Sequence, residues 1–475
     1  MPAFLDPRTS AVADRVRRGT PDSRVLAVVG AWIHLALVGL AQSDPTSAQV
    51  DTLMAPLVAE EHFAGAIVLM RHGEVVYQRG FGLANHEEDL AFTPETPTDG
   101  GSMAKTFTAA AVWWLVHEGR LDPDDLVARW LPEFPHRQTT LRHLLFHSNG
   151  LPAYYEWFDP HFAPDEVRTT AAMVRVVASQ SPRPGFAPGE RFEYSNLGYD
   201  VAAEVIERVV GRPFGDFLNE RFFVPLGMRN SFLRPARLSE WSGPRTRGYR
   251  WRDGVREAFD VFDNEGFYGA SNIWFSALDL GRWGNAMATG TAVPPAAFSA
   301  GLERSEVGGQ PSPITGSSWY CDESGARGYY TGSLNAFHCF VYWDRERGES
   351  VAFVSNSALA PWRIIGLQRD LVAVLAGIPR GPAPKPAFLR FTKATWPTVV
   401  GTYATEDMSV TLVHVADRGM LLRVGDGLEF DVFPVGAEVV YVPGPDYWLA
   451  FSGESQPAAM HLESMFIDAV LRRLP

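Results

Sequence analysis

The chain is short of cysteine, of basic charge and of metal-ligand patterns. Two cysteines in 475 residues, Cys321 and Cys339, are too few for a structural zinc framework or a disulfide-built scaffold. In an exported protein they could pair with each other; they could equally be two small buried side chains, and spacing alone does not decide. Acidic residues outnumber basic ones, 55 to 42, and no lysine/arginine cluster stands out. That balance argues against nucleic acid or an anionic membrane surface as a partner. His143 and His147 are four residues apart, but the H-x-x-x-H between them lacks the glutamate of a metalloprotease helix, and His143 reads as a surface or packing residue. With 46% hydrophobic and 20% charged residues the composition is that of a globular protein, and the length suggests two or three domains.

What is present begins with a leader. Arg15, Arg17, Arg18 and Arg24 precede an apolar stretch from Val25 to Ala41, and Gly39-Leu40-Ala41 places small residues where a signal peptidase reads. Residues 1–41 are therefore expected to be a signal peptide, and the protein exported, periplasmic or extracellular. If the leader were retained it would act as a membrane anchor, although the stretch is barely long enough to span a bilayer. No other segment reads as transmembrane, so no stable membrane span is expected after cleavage.

Beyond the polar linker Ser43 to Gln49, Gly65 to Met70 reads as a buried strand, turned by His72-Gly73 into a second strand, Val75 to Arg79. Thr93 to Gly101 is a loop. A helix starts at Ser102, with Phe107, Ala110, Ala111, Trp114 and Leu115 as its apolar stripe and Gly119 as its C-cap. Residues 120–300 mix short helices with Pro/Gly turns; Asp200 to Val210 and Ser276 to Met287 are helical. Strands return at Trp319 to Cys321, Phe337 to Trp343 and Val351 to Ser355, followed by a helix from Ile364 to Ala376. Early strands, a mostly helical middle and late strands closing the same sheet predict a mixed α/β (α+β) architecture over 45–376. A Pro-rich linker, 377–389, then leads to a small all-β domain, 390–475, with a hairpin formed by Met408 to Val415 and Met420 to Val424.

Three short patterns carry chemistry. In Ser102-Met103-Ala104-Lys105 the serine and lysine are three residues apart at the start of a helix, on one face. A serine hydroxyl is a weak nucleophile until a base takes its proton, and a lysine can be that base only in its neutral form. Tyr194-Ser195-Asn196 offers a phenol, a hydroxyl and an amide ahead of a helix, and a phenol beside an amine can relay protons. In Tyr330-Thr331-Gly332-Ser333 the glycine lets a substrate approach an edge strand, and the Ser333 N–H could join that of Ser102 as an oxyanion hole. Each pattern alone also fits a bland turn or strand entry.

Their order and flanks resemble the serine β-lactamase / penicillin-binding-protein superfamily, in its class C-like branch. The resemblance covers roughly residues 50–375. It rests on Gly73 to Ala84 (GEVVYQRGFGLA), Gly101 to Thr106 (GSMAKT), Leu115 to Pro135 (LVHEGRLDPDDLVARWLPEFP) and Leu141 to Pro152 (LRHLLFHSNGLP). Pro188 to Tyr199 (PGERFEYSNLGY), Pro225 to Met228 (PLGM) and Ser276 to Trp283 (SALDLGRW) add to it. The tail, with Val400-Gly401-Thr402-Tyr403, resembles the lipocalin-like β domain often attached to this branch. The resemblance implies a transpeptidase-like fold, an antiparallel sheet flanked by helices with an all-helical lobe, and a barrel-like C-terminal domain.

It also implies an acyl-enzyme serine hydrolase, of peptidase or esterase type, acting on an amide or ester in a small molecule or peptide. Ser102 would attack, Lys105 and Tyr194 would move protons, and Asn196 would hold Lys105 and the substrate amide. Tyr330, Thr331, Gly332 and Ser333 would line the substrate, and no metal or organic cofactor would be needed. Oligomeric state is open. The chain departs from the family at Tyr330, where lysine or histidine is usual; losing that cation weakens selection for carboxylate-bearing β-lactams and C-terminal D-alanine. Ser271-Asn272 stands in place of a Gly-Gly pair, Asn335-Ala336-Phe337 in place of a Pro/Gly-Gly-Phe pattern, and His147-Ser148-Asn149-Gly150 varies a familiar His-Thr-Ser-Gly. Tyr154, Tyr155, Trp157, Phe267, Tyr268, Trp274 and Tyr329 suggest an apolar pocket, with fewer than half of them expected to line it. Two competing readings are a catalytically weak or inactive relative that binds peptides or peptidoglycan fragments, and an α/β-hydrolase in which Gly100 to Ala104 forms a nucleophile elbow after a strand.

Overall fold

The computed structural model describes residues 45–60, 63–152, 159–163, 165–252, 255–358, 361–380 and 399–405, and the strands from 409 to 473. The leader, residues 1–41, and the linker from 381 onward lie outside the described residues. The chain separates into two units, Met1–Ala48 and Gln49–Pro475. Of the first unit only residues 45–48 are described, as the start of the helix Pro45–Ala59.

The main sheet has six antiparallel strands. Strands β1 (Gly65–Arg71) and β2 (Glu74–Phe81) come from the start of the chain. Strands β4 (Tyr320–Cys321), β5 (Arg327–Leu334), β6 (Phe337–Asp344) and β7 (Glu349–Ser355) come from beyond residue 319; β3 (Ile273–Phe275) belongs to a smaller sheet. The order is β4-β5-β6-β7-β1-β2, so strands from the two ends of this part of the chain pair directly, Gly65 opposite Ser355 and Arg71 opposite Glu349. The continuous apolar run of β1 and the fully buried β7 mark the centre of this sheet, where both faces are covered.

Helices α1 (Ala104–His117), α2 (Asn196–Val210), α3 (Ala277–Thr289) and α4 (Pro361–Leu375) complete the frame. Ser195 caps α2, its hydroxyl accepting from Gly198 N at 3.1 Å, and Ser276 caps α3 by accepting from Asp279 N at 3.1 Å. Helix α3 lies on β7, β1 and β6. Helix α1 differs from the amphipathic stripe expected of it: every residue from Ala104 to Trp113 is buried, and Trp114 is only half-buried. The reason is that α1 is covered by α2, by the helix Pro295–Leu302 and by the ring of Trp283, which stacks on Phe107 at 4.3 Å. A helix enclosed in this way is apolar around its circumference.

The segment before Ser102 is not wholly loop. Thr98–Asp99 forms a two-residue strand paired with β3, Trp274 opposite Asp99. It belongs to a separate three-stranded sheet with Phe232–Leu233 and leads into a 3-10 turn, Gly101–Met103. An elbow needs the serine to follow a strand of the principal sheet, and here it does not.

Cys321 and Cys339 are free and buried. Cys321 lies opposite Gly328 and Cys339 opposite Gly332 on β5, four residues apart along one strand. That is roughly 13 Å, beyond the reach of a disulfide.

The C-terminal strands form one nine-stranded antiparallel sheet between Gly401 and Arg473. The first of these strands pairs with the last, Tyr403 opposite Arg473, and the two edges, Leu428–Asp431 and Phe433–Val435, are neighbours in sequence. Leu412, Leu422, Leu449, Phe451, Met460 and Leu471 are buried, with Tyr403 packed edge-on against Phe451. No helix among the described residues is long and apolar enough to cross a membrane.

Candidate active site

The turn that carries Ser102 is built on contacts that only bare backbone permits. Gly101 has φ +48°, and a Cβ on it would fall 2.7 Å from the carbonyl oxygen and 2.8 Å from the nitrogen of Ser333. A Cβ on Gly332 would fall 1.9 Å from the Gly100 carbonyl oxygen. Two glycines therefore let β5 lie directly against the start of α1, bringing the main chains of Ser102 and Ser333 together. Buried groups hold the turn from behind. Asp99 accepts from Gly101 N at 2.8 Å and from the Trp274 indole at 2.9 Å, and the Cys339 thiol donates to Gly100 O at 3.1 Å. Burial pushes the Asp99 carboxyl up to about 6, against the nearby Arg234 charge.

On this turn Ser102 Oγ receives two hydrogen bonds, from Tyr194 OH at 2.7 Å and from Lys105 Nζ at 3.1 Å. Lys105 is fully buried; its amine also donates to Ala270 O at 3.0 Å and lies 4.9 Å from the centre of the Tyr194 ring. A hydroxyl bracketed by an amine and a phenol within direct proton-transfer distance can lose a proton to one and regain it from the other.

Ser102 opens onto a cavity of about 410 Å³ lined by Asn196, Phe262, Ala270, Ser271, Ser333, Leu334 and Asn335. No charged side chain is among the described residues that line it. Ser333 Oγ is 2.8 Å from His338 Nδ1, and burial lowers that imidazole to about 4, so it adds no positive charge near neutral pH. Among the described residues no cluster of His, Cys, Asp or Glu could hold a metal ion.

Of the residues singled out in the sequence, Ser102, Lys105 and Tyr194 come together, and Asn196 and Ser333 line the cavity. Asn196 makes no hydrogen bond to Lys105; Ala270 O takes that place, and the Asn196 side chain faces the cavity. Tyr330 is buried, stacked on Tyr320 at 5.7 Å and edge-on to Trp319. Tyr330, Thr331 and Gly332 are not among the residues that line the cavity, but the Tyr330 side chain is hydrogen-bonded to that of Tyr194. Burial, and after it the neighbouring Tyr194, hold the Tyr330 phenol well above its ordinary value.

Tyr154, Tyr155 and Trp157 fall outside the described residues. Phe267, Trp274 and Tyr329 are core, and Tyr268 is half-buried; among the described residues the aromatic side chain in the cavity lining is Phe262. Of the pair replacing Gly-Gly, Ser271 lines the cavity. Asn272 is buried at φ +63°, where its amide donates to Phe267 O and accepts from the buried Arg234. Ala270 escaped the sequence reading because its role is a main-chain carbonyl. Asp99 and Phe262 sat in segments without periodicity.

Comparison with known proteins places this geometry in context. The family model described as Beta-lactamase matches residues 50–372. The chain is similar to Penicillin-binding protein 4* of Bacillus subtilis (strain 168), 24% identical over 401 residues, covering 81% of this chain and 89% of that protein. It is 31% identical over 228 residues to Esterase EstB of Burkholderia gladioli, covering 44% of this chain and 58% of the esterase. Among solved structures, the octameric penicillin-binding protein homologue from Pyrococcus abyssi superposes with a TM-score of 0.60 at 22% identity, over 90% of this chain and 99% of that one. That likeness is one of fold.

Proposed function

The chain belongs to the Beta-lactamase family of serine hydrolases, and from that premise we propose that it hydrolyses an uncharged ester or amide through an acyl-enzyme on Ser102. The observation that carries this reading is a serine hydroxyl 2.7 Å from a phenol and 3.1 Å from an amine, opening onto a cavity whose described lining residues are all uncharged. Ser102 Oγ bonds to the substrate carbonyl carbon while its proton passes to the Lys105–Tyr194 pair. The bond to the leaving alcohol or amine breaks, and that group takes the proton. Water then attacks the acyl carbon, its proton returns through the same pair to Ser102 Oγ, and the acid departs. The N–H groups of Ser102 and Ser333 hold the carbonyl oxygen as it gains charge. The close backbone approach at Gly101 and Gly332 supports this role.

Selection against charged acyl groups follows from the cavity. A carboxylate brought into it would be desolvated with no cation among the described lining residues to meet it, and the nearby His338 is neutral. The penicillin-binding and esterase relatives bracket amide and ester chemistry, which fits either leaving group. The leader pattern supports export as part of the same proposal.

A second reading, peptide or peptidoglycan-fragment binding without turnover, is favoured only by Tyr330. A panel of p-nitrophenyl esters, D-amino-acid amides, D-Ala-D-Ala peptides and a chromogenic cephalosporin separates the two. Turnover of neutral esters or amides in excess of the carboxylate-bearing members supports the proposal. Preference for the carboxylate-bearing members overturns it.

A further inference from the structure

His147 ends the short segment after the helix Leu141–Leu145, with a left-handed φ of 52°, and it is 1% exposed. Its polar contacts with the chain beyond its own turn fall on Glu193 and Ser195, and its ring packs on Tyr194, edge-on to Phe192 at 5.5 Å and tilted on Tyr199 at 5.0 Å. Its carbonyl accepts from Glu193 N at 2.8 Å, and its ring Nδ1 accepts from Ser195 N at 3.0 Å. Its ring stacks on the Tyr194 phenol, with centroids 4.5 Å apart and planes inclined by 28°. One residue thus holds the backbone on both sides of Tyr194 and one face of its side chain. Ser148 O extends the same seam by accepting from Gly189 N at 2.8 Å.

The ring chemistry argues for more than packing. Because Nδ1 accepts a main-chain N–H, the neutral imidazole carries its proton on Nε2. That nitrogen is buried without a hydrogen-bond partner. A buried unsatisfied donor is destabilising, and a phenylalanine would fill the space without that cost. What phenylalanine could not do is satisfy the Ser195 N–H. Burial and the nearby Lys105 also hold the imidazole well below its usual range, so it stays neutral beside the reacting groups.

We infer that His147 is a positioning residue for Tyr194, fixing the phenol oxygen at hydrogen-bond distance from Ser102 Oγ. The inference rests on the role given to Tyr194 above. Its physical basis is that a catalytic group displaced by about 1 Å can lose on the order of a hundredfold in rate.

The test is a cycle with Tyr194 in the full chain, read as kcat and KM on a p-nitrophenyl ester. His147→Asn keeps a short acceptor toward Ser195 N and loses the stack; His147→Phe keeps the stack and loses the acceptor. Each is expected to lower kcat by about ten- to a hundredfold with KM within about threefold, at an unchanged circular-dichroism spectrum. In a Tyr194→Phe background the same changes should cost less than about twofold, because His147 acts through the phenol. If His147→Phe does not fold, His147→Asn decides. Full kcat in a folded variant overturns the inference, and so does an undiminished loss in the Tyr194→Phe background. If Tyr194→Phe alone turns over like wild type, the proposed mechanism fails, and with it the inference; if it is slow while His147→Asn is not, only the inference fails.

Discussion

The two sides of the cavity are built on opposite principles. On the side of the nucleophile, polar groups are buried and satisfied: Lys105 between Ser102 Oγ and Ala270 O, and Asp99 between Gly101 N and the Trp274 indole. On the facing side Phe262 is 53% exposed, and Leu334 and Asn335 offer apolar or neutral surface. Rigid, enclosed polar pairs suit proton transfer, because they need no rearrangement as charge moves. An open neutral wall suits a substrate's acyl or leaving group, whose binding is a matter of area and shape. The comparison assigns rate to one side and selectivity to the other.

Substitutions on the rate side should lower kcat. The largest effect is expected from Lys105→Arg. It keeps hydrogen-bond donors toward Ser102 Oγ and Ala270 O but cannot be a base, because a guanidinium does not lose its proton in proteins; steady-state kinetics should record a kcat loss of about 10³-fold or more. Lys105 is one of only three lysines in the chain, so the retention of lysine here is not a compositional habit.

Next comes Asp99→Asn, expected to lower kcat by about ten- to a hundredfold. An amide can still accept from Gly101 N, but its NH₂ would then face the Trp274 indole N–H. Trp274→Phe removes that donor, so the double variant should recover part of the loss; no recovery would show that the two side chains are not coupled.

The same carboxyl gives a pH signature. Its folded value, raised from 3.8 to about 6 chiefly by burial, means that the folded state holds the proton more tightly than the unfolded one. Its stabilising contribution is therefore complete below about 3.8 and is lost as pH rises through 6, by about 3 kcal/mol at most. Denaturant midpoints of wild type relative to Asp99→Asn should fall between pH 4 and 7; parallel curves would contradict the assignment.

The smallest effects belong to the facing side. Phe262→Ala should raise KM for apolar acyl esters several-fold with little change in kcat, as expected for loss of apolar contact area. An equal loss in kcat would blur the division between the two sides. Tyr330→His should shift the ratio of carboxylate-bearing to neutral substrates toward the former. An unmoved ratio would show that this position acts through packing alone.

Much of this was legible in the sequence where signals are long. The apolar runs of β1 and β7, the capped helices α2 and α3 and the split of the main sheet between the two ends of its domain all follow from pattern. Two-residue strands such as Thr98–Asp99 carry no period to read. In the site, side chains in motifs could be found, whereas the Ala270 carbonyl could not, since any residue supplies one. Alternation along β5 shows which residues share a face, but not that Trp319 and Tyr320 cover Tyr330 or that its side chain meets Tyr194. His147 was visible within His147-Ser148-Asn149-Gly150, but its grip on Tyr194 depends on a contact across 47 residues.

The most direct test of the central claim is to acid-quench the enzyme during turnover of a p-nitrophenyl ester and map the acylated peptide by mass spectrometry. The account predicts one acyl group, on Ser102, absent from Ser102→Ala, which should also lose at least about a thousandfold in turnover. An acyl group on another residue, or undiminished turnover by Ser102→Ala, would contradict it.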